Sequence, residues 1–481
     1  MTSQSIAKAI RLTLYLCIMF FSIAKVTAGM TNADTSILKR HNLDYIKLSQ
    51  PSREDLVRYF KASWKLNDSL FSSIIDEKSF FLSPDPLRNP LIFYLGHTAA
   101  FYVNKMRSAG LIKEGVNKRY DVIFEKGVDP SSPNDLNTHN ISWPSYSEVM
   151  KYRAKVYDLV LKTINRIDLP DQVTPGHPLW ALYMAFEHDS MHFETSSVLI
   201  RQLPSKFLKR PSGWSYAEDK QVKISSRRGK FIKINSAPVK IGKSDLDYFG
   251  WDLEYGTLDV LVDTFYVSES LVSNQEFLEF VKEGGYNNPL LWSAEGNQWR
   301  IESNRKLPTF WIVEGDNMKY RAMFDIIDFP GSWPVEVNYF EAEAYCKWKG
   351  NDVRLMTEPE YRLFAEVKGH DFQRILSFNN NLKYVSPTPV NDSRFKDFRN
   401  IYDVYGNVWQ WLNTNPYPLD GFKPHLYYKD YSQPYFDKAH KMMLGGSWAT
   451  NSVSSMRYYR NWFRPNFIQH AGFRLVKSNR F

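Results

Sequence analysis

The spacing of apolar residues changes character once along the chain. From about residue 45 to 205 they recur every three or four positions in long runs, the period of helices that each bury one face in a bundle. The clearest helix opens with Asn89 as N-cap and Pro90 at the first helical position, runs through LIFYLGHTAAFYVNKMRSA and stops at Gly110. A second opens after Gly176, with Pro178 near its start, and continues through LWALYMAFEHDSMHFETSSVLIRQL until Pro204 ends it. Between the two, Tyr146 to Ile167 has the spacing of a further amphipathic helix.

Residues 206–230 are basic and polar and contain Pro211, Ser212 and Gly213, the composition of a connector between domains. From residue 231 the apolar runs shorten. Segments such as VKIG and DTFYVS read as strands, Ser273 to Glu283 and Tyr339 to Trp348 read as helices, and Gly, Asn and Trp are frequent. The pattern predicts an α+β module whose long loops are held by buried aromatics, following an all-α half. Neither half contains an internal repeat or a low-complexity tract.

Composition sharpens this picture. At 481 residues the chain is long enough for two or three domains with cores of their own. Aromatics reach 16%, with 14 Trp, which is high for a soluble protein and fits a loop-heavy, aromatic-rich second half. The net charge of +9 is spread along the chain. Its densest cluster, Lys206 to Arg210 followed by Arg227, Arg228 and Lys230, falls in the connector without any nucleic-acid motif, so nucleic acid is not an expected partner. The two cysteines, Cys17 and Cys346, exclude a disulfide framework and a Cys-ligated zinc site.

Residues 1–29 carry Lys8 and Arg11, then the apolar run Leu12 to Ala24, then the small residues Val26, Thr27, Ala28 and Gly29. That is the order of a secretory signal with cleavage after Ala28, and the run is too short to span a membrane comfortably. An uncleaved anchor and a translation start at Met30 are the competing readings. The signal sends the protein to the secretory pathway, and the start at Met30 leaves it in the cytoplasm.

The candidate chemistry lies on the helices. His188 and His192 are four apart, so their imidazoles project from one helix face about a turn from each other, as two ligands of one metal require. Glu194 follows two residues later, off that face. His97 sits in the middle of an otherwise apolar helix, where a lone histidine is costly unless a facing helix supplies a partner, and the His188/His192 pair is on such a helix. Three imidazoles without a carboxylate leave open coordination positions, which suits Fe(II) with substrate and O2 or Zn(II) with water. The remaining histidines, His41, His139, His177, His370, His425, His440 and His470, lack such geometry and read as structural or exposed. LYYKDYSQPYFD, from Leu426 to Asp437, reads by itself as a packed aromatic loop.

NPLIFYLGHTAAFYVNKMRSAGLIKEGVNKRYDVIFEKGVD and FEHDSMHFETSSVLIRQLP closely resemble the N-terminal half of the 5-histidylcysteine sulfoxide synthases of ovothiol biosynthesis, relatives of the ergothioneine sulfoxide synthases. The resemblance continues through YFGWDLEYG, LVSNQEFLEFVKEGGY, WPVEVNYFEAEAYCKWKG, VRLMTEPEY, DVYGNVWQW, LGGSWAT and RPNFIQHAGFR, and so covers residues 40 to 476. It implies a DinB-like four-helix bundle over 40–205, then a domain over 231–477 similar to formylglycine-generating enzyme, with a C-type-lectin-like fold and the active site between them. The family's His-X3-His-X-Glu motif falls on His188, His192 and Glu194, and its three iron ligands fall on His97, His188 and His192. An active-site tyrosine of the ergothioneine enzymes, thought to steer the reaction from thiol dioxygenation to sulfoxide formation, corresponds to Tyr428, with Tyr431 beside it. A substrate-contacting stretch matches Asn461, Trp462 and Phe463, and the ergothioneine enzymes carry Asp at the last of these, which speaks against a trimethylated histidine here.

The resemblance therefore implies an Fe(II) enzyme that joins L-cysteine to the ring of L-histidine with O2, the first step of ovothiol formation. Two departures bear on this. DPSSPNDL at 129–136 replaces an acidic, Trp-containing loop of the ovothiol enzymes, and the copper-binding cysteine pair of formylglycine-generating enzymes is represented by Cys346 alone. No Gly-rich nucleotide fingerprint is present, so a separate lyase and a separate methyltransferase are expected to act downstream. A cysteine dioxygenase on the same iron, and a secreted lectin-like binding module with structural zinc, are the rival readings.

Overall fold

The computed structural model describes residues 45–478 except 126, 128, 133–134, 137–140, 220–229, 245 and 367–371. The expected leader, Cys17, His41, His139, His370 and part of the expected connector lie outside the described residues.

Among the described residues, five α-helices build the first half: α1 (Arg53–Phe71), α2 (Leu91–Ser108), the short α3 (Lys118–Ile123), α4 (Tyr146–Arg166) and α5 (Trp180–Gln202). Ser52 caps α1 by accepting from Asp55 N, and Ser145 with Glu148 forms a capping box on α4. Two helix starts differ from expectation. Pro90 rather than Asn89 is the N-cap of α2, because the φ that proline imposes is joined here to an extended ψ of 155°, so the first helical residue is Leu91. In α5 the helix begins at Trp180, after Leu179. Gly110, at φ +75°, stands just past the C-cap Ala109, where a residue with a side chain would be strained.

The second half has helices α6 (Asn274–Lys282), α7 (Ala294–Ser303), α8 (Tyr339–Lys349), α9 (Glu358–Phe364) and the short α10 (Phe372–Ser377). Its strands are β1 (Phe231–Ile234), β2 (Ala237–Ile241), β3 (Leu258–Val262), β4 (Phe265–Ser268), β5 (Trp311–Glu314), β6 (Asn317–Arg321), β7 (Ile326–Asp328), β8 (Val353–Arg354), β9 (Trp409–Trp411), β10 (Lys441–Leu444), β11 (Asn461–Phe463), β12 (Ala471–Gly472) and β13 (Val476–Ser478). They form small sheets: β1-β4-β13-β8, β11-β10-β9-β12, β2-β3 and β5-β6-β7. In the second, β10 runs antiparallel to β9 and β11, and β12 is parallel to β9. Sheets this short cannot carry a domain alone, and the indoles of Trp251, Trp333, Trp411 and Trp448 fill the space between the loops.

One apolar cluster runs through both halves, from Leu56 and Tyr102 in the bundle to Trp409 and Phe473 in the second half. The helix between them is α5, buried around almost its whole circumference although it carries His, Glu, Asp and Arg. Asp189 and the two histidines face the bundle, where Ser63 Oγ donates to Asp189 and the imidazoles meet His97, while Glu187, Glu194, Ser197 and Arg201 face the second half as a stripe. Glu187 accepts from Ser452 Oγ at 2.6 Å and Val453 N at 3.2 Å. Ser197 Oγ is 2.9 Å from His470 Nε2, and Arg201 Nη1 reaches both carboxylate oxygens of Glu336 at 2.8 Å. Spacings of seven, three and four residues put Glu187, Glu194, Ser197 and Arg201 on one side of a helix, so the seam between the halves is a line of paired polar groups.

Candidate metal centre

The packing of α2 on α5 brings His97 against His188 and His192. Ring centroids are 4.9 Å apart for His97 and His188, 4.4 Å for His97 and His192, and 4.3 Å for His188 and His192. One nitrogen from each ring lies within 4.8 Å of the others. His97 Nε2 and His192 Nε2 are 3.1 Å apart, and two nitrogens each about 2.1 Å from one ion stand about 3.0–3.4 Å apart at ordinary bond angles.

Each ring is set by its neighbours. His97 Nδ1 is 2.6 Å from the Phe124 carbonyl, which can only accept, so the proton is on Nδ1 and the Nε2 lone pair faces the other histidines. Gly96 permits that contact, because a Cβ there would meet the Phe124 ring at 2.7 Å. His188 stacks on Phe101 with centroids 3.5 Å apart and planes 6° apart. Its Nδ1 is buried without a hydrogen-bond partner among the described residues, a costly arrangement for a purely structural histidine. Burial pushes His97 down to about 4, against the opposing pull of the Phe124 carbonyl, and pushes His188 and His192 well below the usual imidazole range. Neutral imidazoles are the form that coordinates. The residues therefore fit a divalent ion of the Fe(II) or Zn(II) kind with open positions.

A cavity of about 200 Å³ opens at this cluster. Among the three histidines His192 lines it, and Tyr428, Tyr431, Asn461, Trp462 and Phe463 all line it as well, so every site residue expected from the sequence is at or beside one cavity. Tyr428 packs edge-on to Phe101 at 5.5 Å and beside Tyr431 at 5.4 Å. Burial raises its phenol, so it holds its proton at neutral pH. Tyr431 stacks on Trp251 at 4.2 Å and donates to Met191 Sδ at 3.6 Å. Asn461, Trp462 and Phe463 form β11, paired with β10, and Asn461 Oδ1 accepts from Trp462 N at 3.0 Å.

Four further lining residues were not singled out as site residues in the sequence. Glu194 accepts from Trp409 Nε1 at 2.7 Å, from Thr450 Oγ1 at 2.8 Å and from Ser447 Oγ, which binds the helix of His188 and His192 to the second half. Its place after the histidine pair marked it, but only the folded partners give its role. Arg88 lies over Phe467 at 4.3 Å and Phe463 at 5.6 Å. His440, buried, sits between Asp129 Oδ2 and Asp437 Oδ1, each at 2.9 Å, and Arg464 Nη2 reaches Asp129 at 2.8 Å. The divergent 129–136 segment thus contributes Asp129 to the cavity wall. No local signal marks Asp129 and His440, which meet only through the tertiary fold.

Comparison with known proteins agrees with this two-part architecture. The DinB superfamily matches residues 44–196 and the sulfatase-modifying factor enzyme 1-like domain matches residues 223–479. The chain is 22% identical over 453 residues to ergothioneine biosynthesis protein 1 of Schizosaccharomyces pombe, covering 85% of this chain and 54% of that protein. It is 24% identical over 421 residues to hercynine oxygenase of Mycolicibacterium smegmatis, covering 81% of this chain and 91% of that one. It is 27% identical over 417 residues to the hercynine oxygenase of Mycolicibacterium thermoresistibile, covering 82% and 88%. The chain spans a little over half the length of the fungal relatives it matches. Since the modifying-factor match alone takes in more than half of the sequence and lies after the DinB match that holds the three histidines, the chain belongs to the sulfatase-modifying factor enzyme 1-like family and carries a DinB-superfamily region ahead of that domain.

Proposed function

We propose that the protein is a non-haem iron sulfoxide synthase that joins the sulfur of cysteine to the imidazole of histidine with O2, giving 5-histidylcysteine sulfoxide. The observation that carries this reading is the meeting of three neutral imidazoles with a tyrosine-lined cavity. The names of the relatives, hercynine oxygenase and ergothioneine biosynthesis protein 1, support an oxidation at a histidine-derived ring.

His97, His188 and His192 would hold Fe(II), which when bound supplies O2 activation and a seat for the thiolate. The balance is simple: the thiol S–H and a ring C–H are lost, a C–S bond forms, one oxygen atom stays on sulfur and the other leaves as water. O2 takes up all four electrons. The protein's part is to hold sulfur and ring in reach of each other and to exclude water. The aromatic walls, Tyr431 and Trp462 among them, suit a planar imidazole. Arg88 offers a cation to a carboxylate of an amino-acid substrate. Tyr428, kept protonated by burial, is placed to give a proton.

The same walls would also accept a trimethylammonium group through cation–π contact. Phe463, where the ergothioneine enzymes carry an acid, favours free histidine instead. The test loads the full chain anaerobically with Fe(II), adds cysteine, histidine or trimethylated histidine, and O2, and identifies products by mass spectrometry beside His192→Ala. A cysteine–histidine adduct with one added oxygen, absent in the variant, supports the reading. Sulfinate alone makes the protein a thiol dioxygenase, and an adduct of the trimethylated ring alone moves it to ergothioneine chemistry.

A further inference from the structure

We propose that Lys105 is a positioning residue for Tyr428, tying the aromatic segment of the second half to the helix that carries His97 and holding its charge on the Tyr428 ring so that the phenol acts as a proton donor. The proposal rests on the reading above, in which Tyr428 takes part in the reaction.

Lys105 lies two turns beyond His97 and one beyond Phe101, on the same side of α2. From there it crosses between the halves. Its Nζ donates to the Tyr427 carbonyl at 2.8 Å and stands 3.9 Å from the centre of the Tyr428 ring and 4.9 Å from that of Phe101. Phe101 in turn is the ring stacked on His188. Metal ligand, phenylalanine, ammonium and phenol thus form one continuous pile, in which Lys105 is the only member that holds both backbone and ring of the 427–428 pair.

Lysines at surfaces keep the ammonium in water and bury the stem. Lys105, half-buried, instead turns its ammonium inward onto the Tyr427 carbonyl and the Tyr428 ring. Burial lowers it to about 8, partly offset by Asp430 and Glu125, a cost that a lysine without positional work would avoid by turning outward. A cation on the face of a phenol makes electron removal harder and proton removal easier. When the Tyr428 hydroxyl gives its proton, the phenolate left behind is paired with the Lys105 ammonium, and solvent returns the proton after the product leaves. No net electron passes through the tyrosine, so the balance of the overall reaction is unchanged. The other charged or titratable groups acting on this pair are Asp252, Asp430, Glu125 and Tyr435 on Tyr428, while His97, His188 and His425 feel Lys105.

The experiment measures the ratio of sulfoxide adduct to cysteine sulfinate for the Fe(II)-loaded full chain, Lys105→Met and Lys105→Arg, between about pH 6.5 and about pH 9.5. Near neutral pH, Lys105→Met is expected to lower the ratio about fivefold or more while Lys105→Arg stays within about twofold of the parent. The parent ratio should fall as pH rises through about 8, and Lys105→Met should show no such step. A second readout needs neither metal nor turnover: fluorotyrosine placed at position 428 and followed by fluorine NMR should titrate near that pH in the parent chain. A folded Lys105→Met with an unchanged ratio overturns the proposal. If that variant does not fold, a pH-independent parent ratio or a fluorine resonance silent across the range overturns it equally. A parent chain that yields no adduct at all removes the proposed function, and the fluorine titration then decides the Lys105 contact by itself.

Discussion

Trp409 donates its indole N–H to Glu194 at 2.7 Å, across the seam between the helical half and the second half and two residues beyond His192. Ser447 and Thr450 donate to the same carboxylate. Removing the carboxylate takes the acceptor from three buried donors at once and strands at least the Trp409 indole, since Ser447 Oγ and Thr450 Oγ1 keep each other at 3.2 Å; each donor left unpaired is a loss of the order of 1–3 kcal/mol before relaxation. Glu194→Ala is therefore expected to lower unfolding free energy by about 1–3 kcal/mol, and Glu194→Gln by less because the amide oxygen still accepts. Urea unfolding followed by fluorescence checks this. A Glu194→Ala midpoint equal to the parent's would mean the seam does not depend on that carboxylate.

Arg201 and Glu336 form the buried ion pair further along the seam, with His470 and Tyr320 also on the carboxylate. Burial alone would raise Glu336, but the Arg201 charge and these partners hold it down to about 2. A carboxyl depressed in the folded state contributes stability that is present above its unfolded value near 4.5 and is lost as pH falls toward 2. The contribution is roughly 3 kcal/mol at neutral pH. Glu336→Gln should be clearly less stable than the parent at pH 7, with the gap closing through this acid window. Parallel curves for the two proteins down to about pH 2 would contradict the depression.

How much of this was legible in the sequence follows from the range of each signal. Helical spacing is local, so the i,i+4 histidines could be read directly, and the helix over 146–166 came out within a residue from its apolar period alone. His97 was legible as an anomaly, a polar ring in an apolar helix. The helix starts at 90 and 179 were off by a residue or two because proline and its neighbours fix φ without saying where hydrogen bonding begins. The stripe from Glu187 to Arg201 was not legible, since a polar stripe inside an apolar helix gains meaning only when Ser452, Trp409 and Glu336 arrive from distant segments. Asp129 and His440 were hidden for the same reason.

The three histidines should bind one divalent ion, and binding to the folded chain alone raises stability with metal concentration, by about 2.7 kcal/mol at a hundredfold excess over Kd. Added Fe(II) under argon, or Zn(II), is expected to raise the melting temperature of the parent chain. His97→Ala, His188→Ala and His192→Ala should each abolish the rise and reduce bound metal by elemental analysis. A variant that keeps both would remove that residue from the ligand set.

Tyr428→Phe keeps the ring against Phe101 and under Lys105 and deletes only the hydroxyl. Metal affinity should be unchanged and stability within about 1 kcal/mol of the parent. Products should shift from the adduct toward cysteine sulfinate, measured by mass spectrometry over a single turnover. An unaltered product ratio would take Tyr428 out of the reaction.

Phe463 lies beneath the guanidinium of Arg88 on the cavity wall, so that side of the cavity presents a cation with an apolar ring below it. Such a wall repels a trimethylammonium, which cannot donate a hydrogen bond in return, and attracts a carboxylate. Phe463→Asp would pair Arg88 with a carboxylate and cancel the local positive charge. Free histidine should be preferred by the parent, and Phe463→Asp should move the preference toward trimethylated histidine by about tenfold, the effect of about 1.4 kcal/mol. Competition of the two rings for one limiting pool of cysteine, with both adducts quantified in the same reaction, reads the preference directly. A parent chain that already prefers the trimethylated ring would mean that the aromatic walls, and not the residue at 463, choose the substrate.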